Sequence, residues 1–239
     1  DVERSRGLGD VYKRQALPGS PVCGSFGEPC RRWVHQLADN NIGVWQILPL
    51  APPDPTGSPY SSPSCFALNP WLLDAADLAA EGYISSDDQA TLPGADAPSD
   101  GINRVDFALA NQRSQALATA LLSRWSEQSQ ERQDTFRSWC EEQAWLEEHA
   151  RYSVLHDQHQ GAWWSWPKAL ATHREGALQR WCDDHGEALL QVKLVQWHLD
   201  RQWKAIRSLA KERGVLLFGD LPFYAVSYTH LRAHETSLH

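Results

Sequence analysis

A carboxylate, Asp220, ends the apolar run at the start of the segment VLLFGDLPFY and comes directly after Gly219. Barrels and open α/β sheets place their functional side chains at the carboxyl ends of parallel strands. Because a charge that ends so apolar a strand needs a partner, we expect Asp220 to be functional. The alternative is a structural carboxylate that caps a loop by accepting hydrogen bonds from backbone N–H groups.

Ser58 and Tyr60 lie in an uncharged, proline-rich segment, GSPYSSPSCFALNP, which follows a second apolar segment, VWQILPL. If the two apolar segments form parallel strands, Ser58 and Tyr60 lie at the same end of the sheet as Asp220. A tyrosine ring offers a face to the C–H surface of a sugar, and short hydroxyls can bind its rim. The residue types alone leave a sugar-binding loop and a loop packed on its own prolines equally open.

Three further groups have residue types that could bind a ligand, and each has a plainer interpretation. The segment WWSWP, residues 163–167, could be a carbohydrate platform, but tryptophans in a helical region are more often core anchors, which we favour. His156 and His159 lack a third ligand nearby, so a solvated helix face is favoured over a metal site. Asp183 and Asp184 are predicted to mark the start of a helix.

The predicted elements that position these residues alternate between helix and strand, which is typical of an α/β fold. A helix is predicted from Pro29 to a stop at Gly43. The segment VWQILPL that follows is predicted to be a strand buried on both faces, because its apolar residues are continuous rather than alternating. A short helix is predicted from Asn69 to Gly82. Residues 85–105 contain several Pro and Gly residues and are predicted to be a loop.

The rest of the chain is predicted to be mostly helical, with one helix carrying Leu109 to Trp125 and another carrying Phe136 to Leu155. The longest periodic segment, HGEALLQVKLVQWHLDRQWKAIRSLAKERG, ends at Gly214 and precedes the second buried strand. The chain therefore contains two parallel-type strands separated by a long helical insertion. Because two strands do not make a stable sheet, we expect the fold to be unfinished at residue 239.

Composition and charge argue against several classes of function. The chain of 239 residues has a formal net charge of -8, whereas nucleic-acid binding needs concentrated Lys and Arg. No apolar run approaches the roughly 20 residues of a membrane helix, and the N-terminus lacks the apolar region of a secretory signal, so we expect a cytoplasmic protein. The five cysteines include no CxxC pair that would suggest zinc binding or a redox motif. The sequence contains no methionine, not even an initiator, which indicates a piece of a longer chain.

Several separate motifs resemble the amylomaltase, or disproportionating-enzyme, family of 4-alpha-glucanotransferases. In order, they are SPVCGSFG with the helix that follows it, NNIGVWQILPLAPPDPTGSPYSSPSCFALNPWLLD, WWSWPKAL and VQWHLDRQWKAIRSLAKERGVLLFGDLPFY. The resemblance is to the N-terminal half of such an enzyme and covers about residues 17–225. It is specific, because it rests on several uncommon motifs rather than on one.

The resemblance implies a partial (β/α)8 TIM barrel of the alpha-amylase superfamily, with helical insertions, truncated at about the middle of the barrel. Such enzymes transfer α-1,4-glucan segments between maltooligosaccharides by a retaining double displacement, without a metal or organic cofactor. Ser58 and Tyr60 would contact glucose in the donor subsites. Asp220 would bind the glucan in the same cleft without being the nucleophile. The implied partner is a maltooligosaccharide or another α-1,4-glucan.

The sequence departs from the family at two places. Members continue GDLPFYVAHDSADVW, whereas AVSYTHLRAHETSLH follows Tyr224 here. The catalytic carboxylates of the family lie beyond that point, so no residue of this chain is expected to be catalytic and the chain itself is expected to be inactive. The loop that usually reads GIGDFG in the family ends in CGSFG here, at residues 23–27, and lacks the charged residue.

These features divide the chain into five predicted segments. Residues 1–15 are a leader or non-native extension, 16–84 hold the first barrel strand and the substrate loop, 85–183 form the helical insertion, 184–225 hold a barrel helix and strand, and 226–239 are a non-native tail. Two alternatives to glucan transfer remain open: a non-catalytic glucan-binding protein, and an α-glucan hydrolase of the same superfamily. Growth of oligomers in a product analysis would distinguish transfer from hydrolysis.

Overall fold

The computed structural model of the chain describes residues 19–96 and 105–220. Its elements, in chain order, are α1 (Glu28–Asp39), β1 (Val44–Gln46), α2 (Ala75–Ala80), α3 (Ser86–Ala90), α4 (Phe107–Ser123), α5 (Gln130–Glu142), α6 (Leu146–His159), α7 (Lys168–Ala171), α8 (Glu175–Asp184), α9 (Gly186–Glu212) and β2 (Leu216–Phe218). Short 3₁₀ turns lie at Pro70–Leu72, Trp125–Glu127 and Trp163–Ser165. The segments 1–15 and 226–239, set apart in the sequence analysis, lie outside the described residues.

The strands β1 and β2 form a parallel pair, in which Val44 is paired with Leu216 and Gln46 with Phe218. One further backbone hydrogen bond, from Ile47 N to Phe218 O at 2.9 Å, extends the pairing. The prediction of two parallel strands joined by a long helical connection is confirmed. Because the strands run in the same direction, the segments that follow them leave the sheet at the same end.

Two predictions are wrong for the described residues: that VWQILPL is buried on both faces, and that the second strand is buried. Trp45 is fully buried on the face covered by helices, where its ring meets Trp33 of α1 edge-on at 6.4 Å. On the other face, Val44, Leu216 and Phe218 are 39%, 70% and 61% exposed. Residues in register in a parallel pair lie on the same face. The described residues therefore cover one face of the sheet and leave an apolar face open.

Helix α1 leads the chain into β1. Pro29 stands in its first turn, where a residue without an N–H leaves no helical hydrogen bond unmade. Its buried side chains recur at intervals of three and four residues, as expected for one face of a helix: Cys30, Val34 and Leu37. After the helix, Asn41 has a φ of 58°, and Ile42 N donates to the carbonyl of Leu37 at 2.8 Å. This reversal turns the chain into the strand.

Helix α9 is 27 residues long, and α1, α4, α5, α6 and α8 all pack against it. Its buried apolar side chains include Leu189, Leu194, Val195, Trp197, Leu199, Ile206 and Ala210. Three polar side chains, Gln196, His198 and Gln202, are buried among them. The helix ends before Gly214, which has a φ of 72°, and Val215 N donates to Ala210 O at 2.8 Å. This C-terminal turn delivers the chain directly to β2.

His198 is fully buried in a cluster of rings and guanidinium groups. Its ring lies 4.4 Å from the ring of Tyr83 and 4.6 Å from that of Trp197. His198 Nδ1 lies 2.8 Å from Arg201 Nη1 and accepts its hydrogen bond, because a guanidinium can only donate. Burial, together with the positive charges of Arg201 and Arg132, holds the pKa of His198 well below its ordinary value of 6.5. The imidazole is therefore neutral in the folded protein near neutral pH.

Local capping explains two differences from the predicted helices. The predicted helix from Asn69 to Gly82 is instead a 3₁₀ turn followed by α2, because Asp74 caps α2 by accepting a hydrogen bond from Asp77 N at 2.9 Å. The predicted loop over residues 85–105 contains α3. Ser85 and Asp88 cap this helix reciprocally, each side chain accepting from the backbone N–H of the other.

Two further helix boundaries differ from prediction. The helix predicted to carry Phe136 to Leu155 is two helices, α5 and α6, separated by residues 143–145. Asp183 and Asp184 end α8 rather than start a helix. The side chain of Asp183 accepts a hydrogen bond from Gln179 Nε2 at 2.8 Å, one turn earlier in the same helix. This acidic pair therefore belongs to the last turn of α8, and α9 begins without a side-chain cap.

Candidate functional site

Tyr60 and Asp220 meet at the end of the sheet where both strands finish. Tyr60 lies in residues 47–69, which we call the Tyr60 loop, and Asp220 lies two residues beyond β2. Tyr60 Oη donates a hydrogen bond of 2.9 Å to Asp220 Oδ2, across a sequence separation of 160 residues. The expectation that these residues lie at the same end of the sheet is confirmed. That either of them binds a glucan stays a prediction.

Ser58 lies in a tight turn organised by Asp54. Asp54 Oδ1 accepts hydrogen bonds from Thr56 N at 2.9 Å, Thr56 Oγ1 at 2.7 Å and Ser58 N at 2.9 Å. The Thr56 hydroxyl and the N–H of Ser58 hold the pKa of Asp54 below its ordinary value. Asp54 is thus a carboxylate that builds the turn. Ser58 Oγ in turn accepts from Tyr60 N at 3.3 Å, which orients the backbone of Tyr60.

Gly57 allows the Tyr60 loop to pass close to helix α4. Its φ is 83°, a region that favours glycine, and a Cβ at this position would collide with the ring of Phe107. Phe107 is the first residue of α4, and its ring stacks on that of Trp71 at 5.4 Å and 19°. The helical insertion therefore supports the Tyr60 loop from outside the sheet.

Serine hydroxyls replace backbone partners in the second half of the Tyr60 loop. Ser62 Oγ donates to Ser64 O at 2.7 Å, and Ser64 Oγ accepts from Phe66 N at 3.3 Å and from Ala67 N at 3.1 Å. Short side chains can make such local bonds where no ladder or helix satisfies the backbone. The small, uncharged composition of GSPYSSPSCFALNP is thus explained by loop structure, in addition to any contact with a ligand.

Two buried glutamines of α9, which the sequence analysis did not single out, bind the backbone at the end of the Tyr60 loop and a few residues beyond it. Gln196 Oε1 accepts from Leu68 N and Gln196 Nε2 donates to Leu68 O, both at 2.9 Å. Gln202 makes the same pair of bonds with Asp74, at 2.9 Å and 3.0 Å. The signal in the sequence was a pair of glutamines six residues apart within the apolar stripe of a long helix.

The electrostatics of the Tyr60–Asp220 pair fix which group donates. The hydrogen bond to Asp220, followed by burial and the carboxylate charge, raises the pKa of Tyr60 above its ordinary value of 10.0. The phenol therefore stays protonated near neutral pH and donates to the carboxylate. A carboxylate has further lone pairs, and the phenol ring has two faces. By residue type, the pair combines hydrogen-bond acceptors with an aromatic ring.

The other residues singled out in the sequence lie away from this pair along the helical insertion. Trp166 is buried at 7% exposure, as expected for a core anchor, whereas Trp164 is 65% exposed. The ring of His156 stacks on Tyr152 at 5.7 Å. Across residues 19–96 and 105–220, no three His, Cys, Asp or Glu side chains are grouped so that they could hold a metal ion. Within the same ranges, no helix is long and apolar enough to cross a membrane.

The fold and the site define an α/β protein in which polar and aromatic groups gather at the carboxyl ends of parallel strands. The chain belongs to the 4-alpha-glucanotransferase family, glycoside hydrolase family 77, whose profile matches residues 14–229. The resemblance drawn from the sequence motifs is thereby confirmed.

Curated relatives carry the same description. The chain is 32% identical over 212 residues to a 4-alpha-glucanotransferase of Synechocystis, a match that covers 87% of this chain and 41% of the relative. It is 31% identical over 242 residues to the 4-alpha-glucanotransferase of Thermus thermophilus, covering 100% of this chain and 47% of that protein. The chain thus spans less than half the length of these relatives.

Solved structures show a similar fold. An amylomaltase from Streptococcus agalactiae, solved in complex with acarbose, superposes with a TM-score of 0.81 at 24% identity, covering 90% of this chain and 43% of that one. An amylomaltase from Corynebacterium glutamicum gives a TM-score of 0.65 at 18% identity, with coverage of 96% and 32%. At these identities the likeness concerns the fold alone.

Proposed function

We propose that this chain is part of an enzyme that transfers α-1,4-glucan segments between maltooligosaccharides by a retaining double displacement. Membership of the 4-alpha-glucanotransferase family supports the reaction class. The observation that carries the site is the hydrogen bond between Tyr60 and Asp220, which joins the two strand ends at the edge where α/β proteins bind their ligands.

In this proposal Ser58, Tyr60 and Asp220 bind the glucan. A retaining transfer between sugars needs two carboxyl groups about 5 Å apart, one as nucleophile and one as acid and base. Asp220 is paired with a phenol that donates to it, which suits an acceptor for sugar hydroxyls better than a nucleophile. Tyr60 supplies a ring face, and Ser58 supplies a hydroxyl two residues away. The catalytic carboxylates are contributed by other parts of the enzyme.

The fold proposed for the whole enzyme is a (β/α)8 barrel with helical insertions. The support is the open apolar face of the β1–β2 pair, where Leu216 and Phe218 are 70% and 61% exposed. Apolar strand residues at such exposure favour burial by further strands or side chains. The interior of a barrel is a packed core of branched and apolar side chains, and this face would be part of it.

The division of the described chain follows the same proposal. Residues 16–84 carry the first of the two strands and the Tyr60 loop, 85–183 are the helical insertion, and 184–225 carry the helix and strand that end at Asp220. The boundary near residue 184 is supported by the break between α8 and α9, since α8 ends at Asp184 and α9 begins at Gly186.

The test uses the protein expressed from its complete reading frame, with maltotriose as substrate. Tyr60→Phe removes only the hydroxyl, and Asp220→Asn keeps the shape of the side chain but removes the charge. Each is expected to lower kcat/KM about tenfold or more, because a hydrogen bond to a charged group is lost. Asp183→Asn, on the surface of α8, is the matched control and should leave kcat/KM unchanged.

Product analysis separates the reaction classes. Longer oligomers together with glucose indicate transfer, whereas shortening without growth would replace transfer by hydrolysis. Binding of maltotriose without turnover would favour a non-catalytic glucan-binding protein. If Tyr60→Phe and Asp220→Asn both matched Asp183→Asn in kcat/KM, the assignment of this pair to the glucan site would be wrong.

A further inference from the structure

The Tyr60 loop is closed at its base by a backbone hydrogen bond. Asn69 N, at the end of the loop, donates to Leu50 O, near its start, at 2.7 Å. Asn69 is 2% exposed, so this bond lies in the interior of the protein. We call Leu50, Leu68 and Asn69 the base of the loop. Because Tyr60 lies between Leu50 and Leu68, the orientation of the base decides where its side chain stands relative to the strand ends.

Gln196 ties this base to helix α9. Its side chain is 2% exposed, and its amide bonds both the N–H and the C=O of Leu68 at 2.9 Å. A paired contact of this kind fixes the distance and the orientation of the backbone, as a partner strand does in a sheet. Helix α9 also leads through its C-terminal turn into β2, which ends two residues before Asp220. The base of the loop and the strand that precedes Asp220 are therefore set by the same helix.

Gln202 makes the same kind of contact at a place that lies outside the loop. Its side chain is 6% exposed, and its amide bonds the N–H and the C=O of Asp74 at 2.9 Å and 3.0 Å. Asp74 follows the Pro70–Leu72 turn and caps α2. The two glutamines thus share a helix, their burial and their hydrogen-bonding chemistry, but of the two it is Gln196 that holds the base of the Tyr60 loop.

We infer that Gln196 is a positioning residue for glucan binding, an inference that rests on the function proposed above. Both polar atoms of its buried amide bond Leu68, so the side chain acts through the loop and not on the ligand. Groups that bind a ligand must be held within about 0.5 Å of the productive geometry. The direct bond between Tyr60 and Asp220 cannot supply this alone, because a ligand that bonds to either group competes for the same atoms. Gln196 supplies it by fixing the base of the loop against α9.

The experiment measures kcat and KM with maltotriose for the enzyme expressed from its complete reading frame. Gln196→Met keeps the length of the side chain and removes both hydrogen bonds to Leu68. Gln202→Met makes the same change outside the loop and is the matched control. Tyr60→Phe reports, in the same assay, whether the pair binds the glucan. Urea denaturation of each variant defines the conditions under which it is folded.

Gln196→Met is expected to raise KM about fivefold or more and to change kcat less, because it weakens binding that the ground state and the transition state share. Gln202→Met is expected to change KM less than about twofold. A merely structural role would make the two variants alike, since each loses one buried amide with two bonds to the backbone.

A second variant, Gln196→Glu, gives a readout that depends on pH. Its carboxylate accepts from Leu68 N but cannot donate to Leu68 O, whereas the protonated carboxyl group can make both bonds. Burial raises the pKa of a carboxyl group, so this side chain takes up its proton above the ordinary range for glutamate. Relative to the unmodified enzyme, the KM of Gln196→Glu should therefore fall as the pH is lowered from about 8 to about 5.5, whereas the relative KM of Gln196→Met should stay constant.

The inference is overturned if Gln196→Met and Gln202→Met have the same KM, or if the relative KM of Gln196→Glu does not fall with pH. If Gln196→Met does not fold, the pH dependence of Gln196→Glu decides alone. When Tyr60→Phe lowers kcat/KM in the same experiment, either negative result removes the positioning role and leaves the proposed glucan site standing. If Tyr60→Phe matches the unmodified enzyme, the proposed site and the positioning role fall together.

Discussion

Gln196 joins helix α9 to the Tyr60 loop by a pair of hydrogen bonds, and its replacement by alanine tests how far that contact stabilises the fold. The side chain is 2% exposed, and its amide group forms two hydrogen bonds of 2.9 Å to the backbone of Leu68. Gln196→Ala leaves the N–H and C=O of Leu68 without these partners. An unsatisfied buried polar group costs about 1–3 kcal/mol. Two such groups lose their partners, and because Leu68 is only half-buried each should cost near the lower end of that range. We therefore expect a loss of about 2–3 kcal/mol in the free energy of unfolding.

The assay is urea denaturation at neutral pH, followed by far-ultraviolet circular dichroism. Gln191→Ala, on the same helix, is the control, because Gln191 makes one exposed hydrogen bond of 3.2 Å to Thr119 Oγ1. It should change the free energy of unfolding by less than about 0.5 kcal/mol. Equal effects of Gln196→Ala and Gln191→Ala would refute the reasoning, since the paired bonds to Leu68 would then contribute no more than a surface contact.

Three other substitutions test separate parts of the fold. The folded-state pKa of His198 lies below 6.5, so as the pH falls through about 6.5 the unfolded chain binds a proton that the folded protein does not, and the free energy of unfolding decreases. His198→Gln removes this group and should make that decrease smaller. Urea midpoints at about pH 7.5 and about pH 5.5 measure this, and equal falls in both proteins would contradict it. Gly57→Ala should lower the free energy of unfolding by about 1–3 kcal/mol, because Gly57 has a positive φ and lies against the ring of Phe107. Gly43→Ala, at a position with open space around it, should change this free energy little in the same urea denaturation assay. Trp166→Ala should lower the free energy of unfolding by about 3–5 kcal/mol and Trp164→Ala by less than about 0.5 kcal/mol, because the two side chains are 7% and 65% exposed. Similar melting curves for the two variants would disprove the assignment of Trp166 to the core.

The sequence was sufficient to place the two strands and the pair of residues at their ends. Two uninterrupted apolar runs, each followed by turn-forming residues, are strong signals, and parallel pairing puts their ends together. That Tyr60 and Asp220 share one end of the sheet follows from that rule, although 160 residues separate them along the chain. Its distance and the direction of its hydrogen bond depend on loop geometry, which periodicity does not encode.

The errors have local and non-local causes. Capping by Asp74 and by Ser85 decides where α2 and α3 begin, and such caps compete with helical periodicity over only a few residues. The exposed face of the strands could not be predicted from their composition, because a continuous apolar run indicates two covered faces. Which residues cover those faces depends on the elements that pack there, and the described helices cover only one.

Helix α9 links both halves of the candidate site. Its C-terminal turn, closed by Val215 N bonding to Ala210 O, sets the start of β2 and therefore the position of Asp220. Its interior holds Gln196, which fixes the exit of the Tyr60 loop. Helix α9 thus positions both residues of the pair, which are not held only by their contact with each other. It follows that a change within α9 which leaves Tyr60 and Asp220 intact should still alter the hydrogen bond between Tyr60 Oη and Asp220 Oδ2, because it moves the loop relative to the strand end.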